Sequence, residues 1–383
     1  MQFYKIDNTN RNNLEISTIF QSLGSDKSGS KIMSKKANSH LLYIKDIHVG
    51  AANILKQDAL SIGADLAVPM GTIVAKDKYV DAILIGSTKH FEILSRKELA
   101  QPFGLKELAK ELKSFVNMKK YETKIMGVIN TNDDSFFKNS RYTEEKAIDK
   151  IKTMIKDGAN IIDIGAVSSR PGSIPIKPKD ELNRIKYICD TIKKEKLYKK
   201  VKFSIDSYTP KVVEYALKSG FTIVNDITAL FNDKIAKLTA KYDATIVLMH
   251  MQGVPQDMQE NPIYGDIIFD IDNFFKERIQ KAKDFGIKNI ILDVGIGFGK
   301  TLEHNLALLK NMEHFKHFGC EILIGASRKS MIDKIVPSTT EERLSGTLAI
   351  HLDSIKKGAS IVRCHDVKEH FQAIKVQEAI ENI

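Results

Sequence analysis

Beyond Lys124 the chain repeats one pattern: a short apolar run, a long amphipathic stretch, then another apolar run. The runs are Ile125–Asn130, Ile161–Gly165, Val201–Asp206, Thr222–Asp226, Thr245–His250, Ile290–Val294, Glu321–Ala326 and Ser360–His365. Each has the length of a strand, and the segments between them are long enough for crossover helices. The sequence therefore predicts repeated βα units and a parallel sheet. Gly158, Gly220, Gly286, Gly319 and Gly358 stand just before a run, where glycine commonly ends a helix. Eight runs favour an α/β fold closed as a (β/α)8 TIM barrel, with a doubly wound open sheet as the alternative.

Before Lys124 the pattern differs. Gly24–Lys31 reads as a polar loop or disordered segment. Leu41–Ile44 and Asp81–Gly86 read as strands, Gly50–Leu60 and Leu105–Phe115 as helices. Residues 1–118 are thus expected to form an additional small N-terminal α/β domain without a chemical motif, and residues 119–383 the barrel. A chain of 383 residues suits that division, since a barrel takes roughly 250 residues.

The polar residues fall at one place in the pattern. A parallel strand covered on both sides should be apolar throughout. Here the runs turn polar at their C-terminal ends: Asn130, Asp163, Asp206, Asn225-Asp226, His250, Asp293, Ser327-Arg328-Lys329 and Arg363-His365-Asp366. In a barrel these ends meet on one face, where active sites lie. Capping of the following helix accounts for one or two of them; all of them together favour a polar pocket. Arg363 and His365 are two apart on a strand and point the same way, which suits a phosphate or diphosphate. The other reading is an Arg363–Asp366 salt bridge. Ser327-Arg328-Lys329-Ser330-Met331 opens a helix, whose unpaired N–H groups can take a carboxylate. Asp206, Asn225 and Asp293 can read a flat heterocycle bearing N–H donors. Gly295–Thr301 imitates a P-loop, but Val294 stands where the motif needs its first glycine. Those glycines are expected to let backbone approach a ligand.

Composition narrows the class. The net charge of +10 is carried by a lysine-rich sequence without basic blocks interleaved with aromatics, so solvated helix faces explain it better than nucleic-acid binding. No apolar run approaches the ~18 residues of a membrane span, and the N-terminus lacks a signal-peptide layout. A soluble, cytoplasmic protein is expected. Its three cysteines, Cys189, Cys320 and Cys364, form no C-x-x-C pair, so reduced thiols are expected rather than a disulfide or zinc site.

At this point the motifs resemble a family. Met126–Phe136 is similar to the first signature of dihydropteroate synthases, and Asp163–Gly172 to the second. Ser204–Tyr208, Val224–Ile227, Leu248–Gly253, Leu292-Asp293 with its glycine turn, Gly325–Ser330 and Arg363–Val367 complete the set in family order, across essentially all of residues 124–383. The resemblance implies condensation of 6-hydroxymethyl-7,8-dihydropterin diphosphate with p-aminobenzoate, giving dihydropteroate and pyrophosphate with Mg²⁺ assisting. It also implies sulfonamide inhibition and a homodimer.

Carried over by position, the resemblance assigns the pterin to Asp206, Asn225, Met249, Asp293 and Lys329. It assigns the diphosphate to Asn130, Ser169, Arg363 and His365, with Asn130 also the Mg²⁺ ligand. Ser169, Pro171, Phe298, Lys329 and Ser330 would border p-aminobenzoate, and Lys329, Arg363 and His365 would act in catalysis. Segments Asn130–Ser140 and Val167–Ser173 would close over the second substrate.

The chain departs from the pattern in those loops: Thr131-Asn132-Asp133, Lys138, Val167, Ser169 where threonine is usual, and Val294 where proline is usual. Two alternatives follow, a pterin-dependent methyltransferase and an inactive pterin-binding protein. Arg363, His365 and the Ser-Arg-Lys-Ser helix start speak for the synthase.

Overall fold

The structure, a computed structural model, describes residues 11–131, 140–167, 176–254 and 256–381. It divides into two compact units. One runs to Lys119 and takes in His317–Gly319; the other holds Lys120–Lys316 and Cys320–Ile383.

The first unit is built on an antiparallel sheet of β1 (Ser39–His48), β2 (Asp65–Ala67) and β3 (Tyr79–Ser87), in the order β1-β3-β2. Its helices are α1 (Asn13–Ser22), α2 (Lys27–Ala37), α3 (Val49–Leu60), α4 (Thr88–Lys97) and α5 (Leu105–Val116). Strand alternation sets its core: Val80, Ala82 and Leu84 of β3 face inward with Leu55, Phe91, Leu94 and Leu112, while Ile83 and Ile85 stay exposed on the other face. The expected loop over Gly24–Lys31 is corrected. Asp26 accepts from the backbone N–H groups of Ser28 and Gly29 and starts α2 there. The Ser/Gly composition concealed an aspartate N-cap.

The second unit is a closed parallel barrel. Its strands are β4 (Lys124–Asn130), β5 (Ile161–Gly165), β6 (Lys202–Asp206), β7 (Ile223–Asp226), β8 (Thr245–Met249), β9 (Ile290–Asp293), β10 (Glu321–Ile324) and β11 (Ile361–Cys364). Between and after them lie α6 (Ser140–Lys156), α7 (Pro178–Lys194), α8 (Pro210–Lys218), α9 (Asp233–Lys241), α10 (Ile267–Asp284), α11 (Leu302–Lys310), α12 (Ser330–Ile335), α13 (Leu344–Lys356) and α14 (Val367–Glu381). Pairing of β11 with β4 closes the ring, Arg363 opposite Met126 and Cys364 opposite Gly127, and rules out the open sheet. The five helix-ending glycines adopt positive φ, from 67° at Gly319 to 100° at Gly158 and Gly220. Several expected strands ran a residue or two too long, as at His250, Val294, Ala326 and His365. There the ladder gives way to the turns that carry the polar groups.

The lumen floor is a layer of Met126, Ile161, Ile223, Val247, Ile291, Leu323 and Ile361. Burying each such side chain contributes about 1.5–3 kcal/mol. Because side chains alternate along a strand, the residue two further on points into the lumen as well. Those residues are Val128, Asp163, Asn225, Met249, Asp293, Gly325 and Arg363, four of them polar or charged. The same register that builds the apolar floor therefore raises a polar layer directly above it. Among the described residues, no helix is long and apolar enough to cross a membrane.

Candidate active site

Arg363 organises the polar layer. Its Nε donates to Asp163 Oδ2 at 2.7 Å and its Nη2 to Asp206 Oδ2 at 2.7 Å. Asn225 Nδ2 donates to the same Asp163 oxygen at 3.1 Å. One guanidinium thus serves two carboxylates from neighbouring strands. Asp163 is fully buried, and its Oδ1 has no hydrogen-bond partner among the described residues. Burial pushes the Asp206 carboxyl up to about 7; Arg363 opposes the shift, and Asp163 reinforces it.

Asp293 and Lys329 form the opposite side. Asp293 is buried and accepts from Gly295 N–H at 2.8 Å, and burial raises its carboxyl above the ordinary range. The half-buried Lys329 donates to the Ile296 carbonyl, and its ammonium lies 4.4 Å from the centre of the Phe298 ring. Burial lowers Lys329 to about 8, with the Asp293 charge working the other way. Met249 lies opposite Asp293 in the β8–β9 ladder.

His365 is joined to the β10 turn. Ser327 Oγ accepts from His365 N–H at 3.3 Å and lies 2.9 Å from its Nδ1. With that oxygen already accepting, its hydroxyl can donate to Nδ1, which leaves His365 Nε2–H as a donor. Burial lowers His365 to about 4, so at neutral pH it is an uncharged donor.

The sequence-derived site residues are thus partly united. Asn225 and Arg363 meet on Asp163, Asp206 joins them through Arg363, and Lys329 meets Phe298. Asn130 ends β4 half-buried, with no side-chain hydrogen bond among the described residues, and Ser330 is exposed at the start of α12. Ser169, Pro171 and Lys138, with most of both closing loops, lie outside the described residues.

Three readings of the strand ends are corrected. Asp226 faces away from the lumen: its carboxylate takes Thr228 N–H and Oγ1–H and Leu230 N–H, so it caps its own turn. His250 likewise faces outward, against Phe274, with Lys300 Nζ 3.0 Å from its Nδ1. Asp366 pairs with Arg328, at 2.9 and 2.8 Å, not with Arg363. At two glycines of the turn the close approach is to the chain's own backbone. A Cβ on Gly295 would overlap the His250 carbonyl oxygen, and one on Gly299 would crowd Gln252. These glycines bring backbone against backbone, and the buried Lys300 fastens the turn to the carbonyls of His250 and Phe298.

Asp163 is a polar strand end in the sequence to which the family resemblance assigns no role. Its place two residues beyond Ile161, on the lumen side, was the available signal.

A closed parallel barrel with carboxylates, an amide, a lysine and an arginine converging at its C-terminal mouth defines an enzyme for a small, flat, hydrogen-bonding ligand. Residues 126–365 match the family described as pterin binding enzyme. A Helicobacter pylori protein named bifunctional dihydropteroate synthase/dihydropteroate reductase is 42% identical over 362 residues, 94% of this chain and 95% of its own length. The Yersinia pestis dihydropteroate synthase, solved with a sulfonamide drug, has a TM-score of 0.64 at 33% identity, covering 68% of this chain and 95% of that one. The Clostridium difficile dihydropteroate synthase, solved in the presence of pteroic acid, has a TM-score of 0.63 at 37% identity, covering 69% and 98%. The chain belongs to the dihydropteroate synthase family of pterin-binding enzymes.

Proposed function

We propose that the chain condenses 6-hydroxymethyl-7,8-dihydropterin diphosphate with p-aminobenzoate, forming 7,8-dihydropteroate and releasing pyrophosphate. The observation that carries this reading is the buried Asp163 Oδ1, without a hydrogen-bond partner among the described residues, beside Asp206 and Asn225. An acceptor-rich floor taken out of water suits a ring edge bearing N–H and NH₂ donors, because leaving such acceptors unmatched costs ~1–3 kcal/mol each. Asp206, Asn225, Asp293 and Lys329 would read the pterin edge, with Met249 against its face.

In the reaction the bond from the exocyclic carbon to the diphosphate oxygen breaks, and a bond to the arylamine nitrogen forms with loss of a proton. The amine is neutral at pH 7, so the site needs no strong base. Negative charge grows on the leaving diphosphate, where Arg363 and His365 Nε2–H would stabilise it, together with Ser169. Asn130 suits Mg²⁺ in kind: a half-exposed amide oxygen without a hydrogen-bond partner among the described residues, which substrate phosphates can complement as ligands. A bound Mg²⁺ would supply charge neutralisation at the diphosphate. Phe298, Lys329, Ser330 and Pro171 would border p-aminobenzoate. A homodimer and a cytoplasmic setting belong to the same reading; the buried thiols of Cys189 and Cys364 suit a reducing compartment.

The test is direct. The full chain mixed with the pterin diphosphate, labelled p-aminobenzoate and Mg²⁺ should yield a labelled pterin adduct; no adduct at any Mg²⁺ concentration sinks the reading. A sulfonamide should inhibit competitively against p-aminobenzoate. Normal turnover without inhibition would mean that the altered loops build a different benzoate site.

The pH profile of kcat/KM should be a narrow bell, since it reports groups of the free enzyme. Protonation of the Asp206 cluster removes an acceptor as pH falls through about 7. Loss of the Lys329 charge lowers the rate as pH rises through about 8. A profile flat across this interval would contradict both roles.

A second activity has its own support. The Helicobacter pylori bifunctional relative matches 94% of this chain, whereas the two synthase structures cover 68–69%, about the share taken by the barrel unit. We propose that the first unit serves a dihydropteroate reductase activity. Incubating the full chain with dihydropteroate and a reduced nicotinamide or flavin should give tetrahydropteroate, and absence of the reduced product with every donor would refute it.

A further inference from the structure

Behind the mouth, two histidines touch. His351 of α13 and His370 of α14 are almost fully buried, with His351 Nδ1 2.8 Å from His370 Nε2. Ala326 N–H donates to His351 Nε2 at 3.1 Å. His370 Nδ1 lies 2.6 Å from the Asp366 carbonyl oxygen.

The partners at the two ends fix every proton. A backbone N–H only donates, so His351 Nε2 is an acceptor and the ring proton sits on Nδ1. A carbonyl only accepts, so His370 carries its proton on Nδ1, and its Nε2 accepts from His351. Two rings and two protons satisfy the chain Ala326 N–H, His351, His370, Asp366 C=O in this one way. A third proton would set donor against donor at one of the joints. Burial lowers both histidines from their ordinary value, which agrees with a pair held neutral.

The ends of this chain lie in the two turns that bear the reactive groups. Ala326 opens the turn Ser327-Arg328-Lys329, and Asp366 follows His365. Arg328 sits at φ 55°, a left-handed conformation costly for a residue with a Cβ. It is held there by the bidentate Asp366 pair and by its own N–H donating to Thr347 Oγ1 at 2.9 Å. Asp366 therefore grips His370 with its carbonyl and Arg328 with its carboxylate.

We infer that His351 and His370 form a neutral strut that braces the Ser327–Lys329 turn against the His365–Asp366 turn, and that both are positioning residues for Lys329 and His365. Neither ring touches substrate in this arrangement. The inference rests on the synthase reading only for what the positioned groups do.

The experiment compares full-length His351→Gln, His351→Asn and His351→Leu with the unaltered enzyme. The glutamine oxygen reaches near the place of Nε2 and keeps an acceptor for Ala326 N–H. The asparagine amide falls near Nδ1 and keeps only the donor to His370; leucine keeps neither. The Gln enzyme should retain most of its kcat/KM. The Asn and Leu enzymes should lose about tenfold, chiefly as a higher KM for the pterin diphosphate, a size expected of misplaced substrate-binding groups. If the Leu chain fails to fold, the Gln–Asn comparison decides. Nitrogen-15 histidine spectra of the unaltered protein should show both rings in the Nδ1–H form, untitrated through neutral pH. Equal kcat/KM in the Gln and Asn enzymes, or either ring in the Nε2–H form, overturns the strut. No condensation by the unaltered enzyme would fail the synthase reading instead, and the spectra would still judge the strut.

Discussion

Replacing Lys329 by alanine lowers kcat/KM roughly a hundred- to a thousandfold, a loss of about 3–4 kcal/mol in transition-state stabilisation. The size follows from where the ammonium lies. It is half-buried beside Asp293, over the Phe298 ring and against the Ile296 carbonyl, at the junction of the proposed pterin and benzoate sites. Removing it deprives both substrates of one cation in a place where water screens little. Stability should move the other way. The folded protein holds Lys329 down at about 8, below the ~10.4 of a lysine in an unfolded chain. Between those values the unfolded state binds more protons, so this group makes the native protein gain stability as pH rises. At neutral pH the charged lysine is a burden, and the alanine enzyme should melt no lower than the unaltered one. Near-normal turnover, or a loss of activity matched by a collapse in Tm, would refute the assignment.

The parts of the molecule that were legible in the sequence are those where a local rule and the global fold agree. The barrel strands announced themselves as apolar runs with polar ends because burial on both faces leaves no other choice of residue. Asp206, Asn225, Asp293 and Arg363 were visible for the same reason: a charged or amide group ending such a run has to be accommodated. What the pattern could not show is which partner each group takes. Asp366 reads equally well as a mate for Arg363 or Arg328, and the choice is made by the left-handed turn at Arg328, a tertiary outcome. Asp226 and His250 differ from Asn225 and Met249 by one step along a strand. That step reverses the face they occupy. The His351–His370 contact joins two helices, and nothing in either helix alone signals it.

Arg363→Met should be the most damaging change in the barrel, and its effect on stability should depend on pH. In the native site one positive charge holds two carboxylates that are nearly out of water: Asp163 at 0% and Asp206 at 12% side-chain exposure. Methionine fills similar space but leaves two like charges facing each other. Breaking a buried pair in this way costs about 3–5 kcal/mol. The remaining carboxyls can escape by taking up a proton, which raises their affinity for protons above that of the unfolded chain. Through that interval the folded state binds more protons, so the variant loses stability as pH rises and recovers it as pH falls. Thermal melts at about pH 5 and about pH 8 should therefore show a small deficit at the lower pH and a large one at the higher. Adding Asp163→Asn to the variant should remove much of that slope, because the amide carries no charge and can still accept from Asn225. It should restore no activity, since the diphosphate still lacks its arginine. A deficit of equal size at both pH values would show that Arg363 acts through packing rather than charge, and would leave the polar layer without the cation that organises it.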